Sequence, residues 1–233
     1  MSANKIRERA TPEALFDFDG SLVHLANRNI SLQNALKYPM YARIESDRFI
    51  QGVASTGVEI GPIVSRRPRI GRTFVTRRTL TDTGLSRWFP AQDDVILAGS
   101  IHPGKFRQSE ERKAGVVIDH NVDRVVGMID DKPDKLGKLL LDGLLENDCT
   151  NKPLVLGVVP TPQSSQRTDA LLTQAEVSGW KVTEQQKDQD EMAGYNLQFG
   201  SSGIQLLVKV VQLEPFSYET GVEFGQQLQH YTA

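Results

Sequence analysis

Cysteine is nearly absent from this chain. Cys149 is the single one among 233 residues, which excludes an internal disulfide framework and any zinc site built from several thiolates. An excess of charge of one sign is missing too. The 27 Lys and Arg stand against 29 Asp and Glu, a formal net charge of −2, which argues against a dedicated nucleic-acid binder. No run approaches the roughly 18 consecutive apolar residues of a membrane span. Residues 1–12 are polar and charged, without the apolar centre of a signal peptide. The expectation is a cytoplasmic protein with no membrane partner. Apolar residues at 39% and charged residues at 24% are enough for a hydrophobic core and speak against wholesale disorder.

What is present is a series of short apolar segments alternating with helical stretches. Ala14-Leu15-Phe16 reads as a buried strand, followed at once by Asp17-Phe18-Asp19-Gly20-Ser21-Leu22. Further strands are expected at Val58–Ser65, Val95–Ala98, Val125–Ile129, Pro153–Val159 and Ile204–Leu213. Helices are expected at Arg72–Leu85, Gln108–His120, Lys135–Leu145 and Ser165–Ser178. Val23–Gly57 shows no strong period, Arg66-Arg67-Pro68 reads as a loop, and Glu184–Gly194 reads as a polar loop. The alternation implies an α/β fold, a Rossmann-like three-layer sandwich with a mainly parallel sheet.

Ligands of such sheets bind at the carboxyl ends of the strands. Three expected strands end in polar or acidic residues: Asp17 and Asp19, then Ser65, then Asp130 and Asp131. If these strands are neighbours, four carboxylates crowd one crevice. Repulsion and desolvation then disfavour the charged forms unless a cation compensates them. Oxygen-only ligands favour Mg²⁺, which keeps waters for a phosphate. A nearby lysine would complete a phosphate site. Lys113 is one candidate and Lys105 the other.

The ordered set resembles the haloacid dehalogenase superfamily, mostly Mg²⁺-dependent phosphohydrolases. Its first motif, Asp-x-Asp-x-Thr/Val after an apolar strand, is similar to Asp17-Phe18-Asp19-Gly20-Ser21, with serine in the last place. Its second matches Ile63-Val64-Ser65, its third a helical lysine, best Lys113, and its fourth Met128-Ile129-Asp130-Asp131. All four occur in order over residues 14–134. The resemblance implies roles. Asp17 would attack phosphorus to give an aspartyl-phosphate. Asp19 would protonate the leaving oxygen and later activate water, and its backbone carbonyl would bind Mg²⁺. Ser65 would hydrogen-bond the phosphoryl oxygens, and Lys113 would neutralise them. Asp130 would ligate Mg²⁺ together with Asp17, and Asp131 would be a ligand or support one. Asp134 is a weaker substitute for either of the paired acids.

The resemblance places a catalytic core at 1–160, with a small cap or flap at 23–57. Residues 161–233 then complete the fold or cover the site, and the short lengths at both insertion points imply that any cap is small or absent. Substrates would be phosphorylated small molecules or nucleotides. The cluster Arg66, Arg67, Arg69, Arg72, Arg77 and Arg78 could grip a nucleic-acid end, although such clusters are more often solvated faces with local ion pairs. His24 and His102 have no metal-site spacing. Trp88 and Phe89 read as packing residues and Cys149 as structural. The competing readings are a non-catalytic binding or scaffold module of the same fold, and a phosphotransferase.

Overall fold

The computed structural model describes residues 11–25, 40–42, 44–68, 72–99, 106–146, 152–186, 192–201 and 204–232. The chain opens with β1 (Glu13–Phe16), then a two-stranded antiparallel ribbon of β2 (Val23–Leu25) and β3 (Met40–Ala42). It continues through α1 (Ile44–Ser55), β4 (Glu59–Pro68), α2 (Arg72–Asp82), β5 (Val95–Gly99), α3 (Phe106–Asn121), β6 (Val126–Asp130) and α4 (Pro133–Glu146). The remainder is β7 (Leu154–Val158), α5 (Ser164–Val177), β8 (Lys181–Gln185), β9 (Gly194–Ser201), β10 (Ile204–Gln212) and α6 (Tyr218–His230).

Eight strands form one sheet in the order β5-β4-β1-β6-β7-β10-β9-β8. The pairs from β5 to β10 are parallel, and β9 runs antiparallel to both its neighbours. All four residues of β1 are buried, as expected for a central parallel strand covered on both faces. Its side chains alternate between two cores. Ala14 and Phe16 join Phe49, Ile50 and Val53 of α1 and Phe224 and Leu228 of α6. Leu15 joins Ala114 and Val117 of α3 and the leucines of α4. Leu136, Leu140, Leu141 and Leu144 recur at helical spacing and are all buried, so α4 presents one apolar face to the sheet. The result is a Rossmann-like three-layer α/β fold.

Connections in the first layer carry the chain from β1 to β4 and β5, and those in the second carry it to β6 and β7. The order reverses beside β1, and the crevice between β1 and β6 at their carboxyl ends is the topological switch point. Residues beyond 160 extend the same sheet. β10 lies beside β7 with Val208 opposite Leu154, and α6 returns to pack on α1. Those two helices meet backbone to backbone. A Cβ on Gly221 would fall 2.2 Å from the Phe49 carbonyl oxygen, and one on Gly52 2.2 Å from that of Tyr218. No described helix is long and apolar enough to cross a membrane.

Three differences from the sequence expectation have physical causes. The polar loop expected at 184–194 begins in β8 and ends in β9. β8 is an edge strand with mostly exposed side chains, so no apolar alternation marks it. α1 lies within the stretch read as lacking a strong period, yet its Phe49, Ile50 and Val53 fall on one helical face buried in the first core, and α6 lies beyond the last expected strand with Phe224 and Leu228 in the same core. β4 runs on through Pro68, where a loop was expected from Arg66-Arg67-Pro68.

Candidate functional site

β1 ends at Phe16, yet its ladder with β6 continues one residue further. The Asp17 N–H donates to the Ile129 carbonyl at 2.8 Å. β6 ends at Asp130. Asp17 and Asp130 therefore emerge side by side from adjacent parallel strands at the switch point. The chain then turns sharply, and the Phe18 carbonyl accepts from the N–H groups of Leu22 (3.2 Å) and Val23 (3.1 Å). Gly20 in this turn has φ +95°, a conformation that side chains disfavour. A Cβ there would also fall 2.3 Å from Asp131 Oδ2. Gly20 thus lets the turn close over Asp131.

Asp17, Asp130 and Asp131 each offer a carboxylate oxygen, all within 4.8 Å of one another. Asp17 and Asp130 are buried, and the Asp131 side chain keeps 13% of its surface. α3 supplies the cation. Its apolar residues Ala114 and Val117 pack in the second core, and Lys113 beside them is itself buried. The Lys113 ammonium lies 2.6 Å from Asp17 Oδ1 and 2.5 Å from Asp130 Oδ2. The residues of these two pairs are 96 and 17 positions apart in the chain.

Burial pushes the Asp17 carboxyl up to about 7; Lys113 opposes this, while Asp130 and Asp131 add to it. Burial disfavours the Lys113 ammonium, but Asp130 and Asp17 outweigh it and raise its pKa. Burial also raises Asp131, reinforced by Asp130 and opposed by Lys132. The ammonium is thus held charged while Asp17 is driven towards its neutral form. Burial drives the second of these effects, and the two carboxylates facing Lys113 drive the first.

Ser65 is buried on β4, which pairs directly with β1. Ile63 lies opposite Phe16, so Ser65 sits two residues further towards the carboxyl edge. Asp19 is half-buried and bridges to Val23 in the turn. Its carboxylate is not one of the three clustered ones. The Ser21 hydroxyl donates to Asp17 Oδ2 at 3.4 Å. Asp134 accepts from Arg167 at 3.0 Å, away from the cluster.

Lys105, Arg69, His102 and Cys149 lie outside the described residues, as do the side chains of His24, Arg66, Arg67 and Arg72. Two other members of the arginine cluster have local partners. Arg77 donates to the Phe89 carbonyl at 2.6 Å, and Arg78 pairs with Asp82 at 3.5 Å on the surface. Phe89 is buried, with its ring 5.9 Å from that of Phe16. Trp88 donates to Asp47 at 2.8 Å.

Two further residues near the cluster carry no motif signature in the sequence. Lys132 and Lys135 share a cleft with Glu110, Lys113, Asp130 and Leu136. Lys132 directly after the acidic pair is the one signal the sequence offers for them. The donor set is three carboxylates with no sulfur or imidazole. That set fits a hard divalent cation such as Mg²⁺, which takes oxygen ligands and tolerates partial hydration. No family model matches the chain, and no curated protein or solved structure matches it significantly.

Proposed function

We propose that this chain is a Mg²⁺-dependent phosphomonoester hydrolase of the haloacid dehalogenase type, acting in the cytoplasm through an aspartyl-phosphate. The observation that carries this reading is the convergence of Asp17, Asp130, Asp131 and Lys113 at the switch point. Buried carboxylates brought together this closely cost stability, and a site for a cation and a phosphoryl group accounts for their presence.

In this reading Asp17 attacks phosphorus, its carboxylate oxygen forms the new P–O bond, and the substrate's ester P–O bond breaks. The Asp19 carboxyl gives its proton to the departing oxygen. Asp19 then takes a proton from a water molecule that attacks the aspartyl-phosphate, releasing inorganic phosphate and restoring Asp17. Lys113 keeps Asp17 oriented and offsets charge on the transferring group. Ser65 donates a hydrogen bond to a phosphoryl oxygen. Asp130 and Asp131, with Asp17 and the Asp19 carbonyl, would hold Mg²⁺. The bound ion would supply Lewis-acid stabilisation of the phosphoryl charge. Substrates are phosphorylated small molecules or nucleotides. The local pairing of Arg77 and Arg78 lends no support to a phosphorylated nucleic-acid end.

The test is Mg²⁺-dependent phosphate release from an aryl phosphate, followed by a screen over nucleotides and sugar phosphates. Asp17→Asn is expected to lose at least about a thousandfold in turnover. Wild-type turnover in that variant would overturn the assignment. Transfer to added acceptor alcohols would mark a phosphotransferase. Absence of turnover with every phosphoester in the screen would favour a binding module.

A further inference from the structure

Two lysines serve the acidic cluster, and they do so differently. Lys113 is buried and engages Asp17 and Asp130 together. Lys132 lies two residues beyond β6, its side chain a quarter exposed. Its ammonium lies 3.3 Å from Asp131 Oδ2 and 3.5 Å from Oδ1. Its own backbone N–H donates to Asp130 Oδ1 at 2.6 Å. The main chain of Lys132 is therefore fixed to one carboxylate while its side chain rests on another. Counted as ionised, three carboxylates and two ammonium groups leave one net negative charge. A divalent cation would turn that into one net positive charge and make the site ready for an anion.

We infer that Lys132 is the resident counter-ion of the cluster: its ammonium occupies Asp131 until a divalent cation displaces it, and it then serves the anionic ligand. The inference rests on reading the carboxylates as a cation site. Geometry favours the exchange. A long flexible side chain with part of its surface in solvent gives up one contact readily, whereas buried Lys113, held by two carboxylates, cannot leave without stranding both. The displaced ammonium stays in the cleft shared with Lys113 and Lys135, where positive charge favours a phosphate dianion. Cation and phosphate binding are then coupled through one side chain, and the coupling is reciprocal.

The experiment is calorimetric titration of the full chain with Mg²⁺ alone, then with inorganic phosphate at saturating Mg²⁺. Lys132→Met is expected to bind Mg²⁺ about tenfold more tightly than wild type and phosphate about tenfold more weakly. Lys135→Met removes a charge from the same cleft without touching the cluster, and is expected to change Mg²⁺ affinity by less than about twofold. Lys132→Gln serves as a second neutral variant, and Lys132→Arg, which keeps the charge, is expected to stay near wild type. A lysine that merely tethered the loop would not tighten metal binding when removed. Equal or weaker Mg²⁺ affinity in Lys132→Met and Lys132→Gln overturns this proposal alone. Failure of the wild type to bind millimolar Mg²⁺ overturns both it and the reading beneath it.

Discussion

His120 Nδ1 lies 2.7 Å from Glu13 Oε2, at the opposite end of β1 from Asp17. α3 is thus fastened to the central strand twice, through Lys113 to Asp17 and through His120 to Glu13. The hydrogen bond to Glu13 raises the His120 pKa, with burial opposing it. A histidine whose folded pKa exceeds its unfolded value stabilises fully below about 6.5, and the contribution fades as pH rises through the folded value. His120→Ala is therefore expected to lose roughly 0.5–1 kcal/mol near about pH 6, a partly exposed pair being weakened by solvent. Urea unfolding of both proteins should show this gap narrowing on the alkaline side. A gap that widens there would contradict the assignment.

Asp17 gives a pH dependence of the same direction, but by destabilising its charged form. Its carboxyl is raised to about 7 by burial and by the neighbouring acids. Between an unfolded value near 4 and that figure, the native state keeps a proton that the unfolded chain has lost, so raising pH costs stability. Metal-free wild type is expected to weaken from about pH 4 to 7, and Asp17→Asn to lose most of that slope. Chemical denaturation at several pH values in chelator checks this. An unchanged slope in the variant would assign the proton elsewhere.

Lys113→Met removes the shared cation from two buried carboxylates. Stranding buried charges in this way costs on the order of 3 kcal/mol. The loss should be largest in chelator and shrink when millimolar MgCl₂ is added, because a bound cation stabilises the native state by linkage. Thermal unfolding with and without Mg²⁺ measures both. If added Mg²⁺ restores nothing, the carboxylates do not share a cation site.

Two glycine substitutions should separate site from scaffold. Gly20→Ala meets a positive φ and the Asp131 carboxylate at once, so it is expected to cut Mg²⁺ affinity and phosphate release about tenfold or more. Gly221→Ala drives a methyl into the Phe49 carbonyl between α1 and α6. It is expected to cost about 2–3 kcal/mol while the folded fraction keeps wild-type Mg²⁺ affinity. Calorimetry beside denaturation distinguishes the two. Similar effects of both substitutions on metal affinity would argue against a local role for Gly20.

The parallel core was legible because a strand covered on both faces must be apolar throughout. Ala14-Leu15-Phe16, Val126–Ile129 and Leu154–Val158 meet that requirement in few residues. The acids at the ends of β1 and β6 were legible because a carboxylate placed directly after a buried strand is conspicuous. β8 was not, since an exposed edge strand needs no apolar pattern. The α1–α6 contact was not, since an apolar helix face does not say which distant helix it meets.

Chain order by itself thus determined the layered α/β plan and the carboxylates of β1 and β6, because burial and strand termination act on neighbours in sequence. Only the tertiary structure decided that Lys113 reaches Asp17 and Asp130, and that Lys132 rests on Asp131. An ammonium has to be within about 4 Å of a carboxylate to pair with it. For residues 96 positions apart, that distance is set by how α3 packs on the sheet.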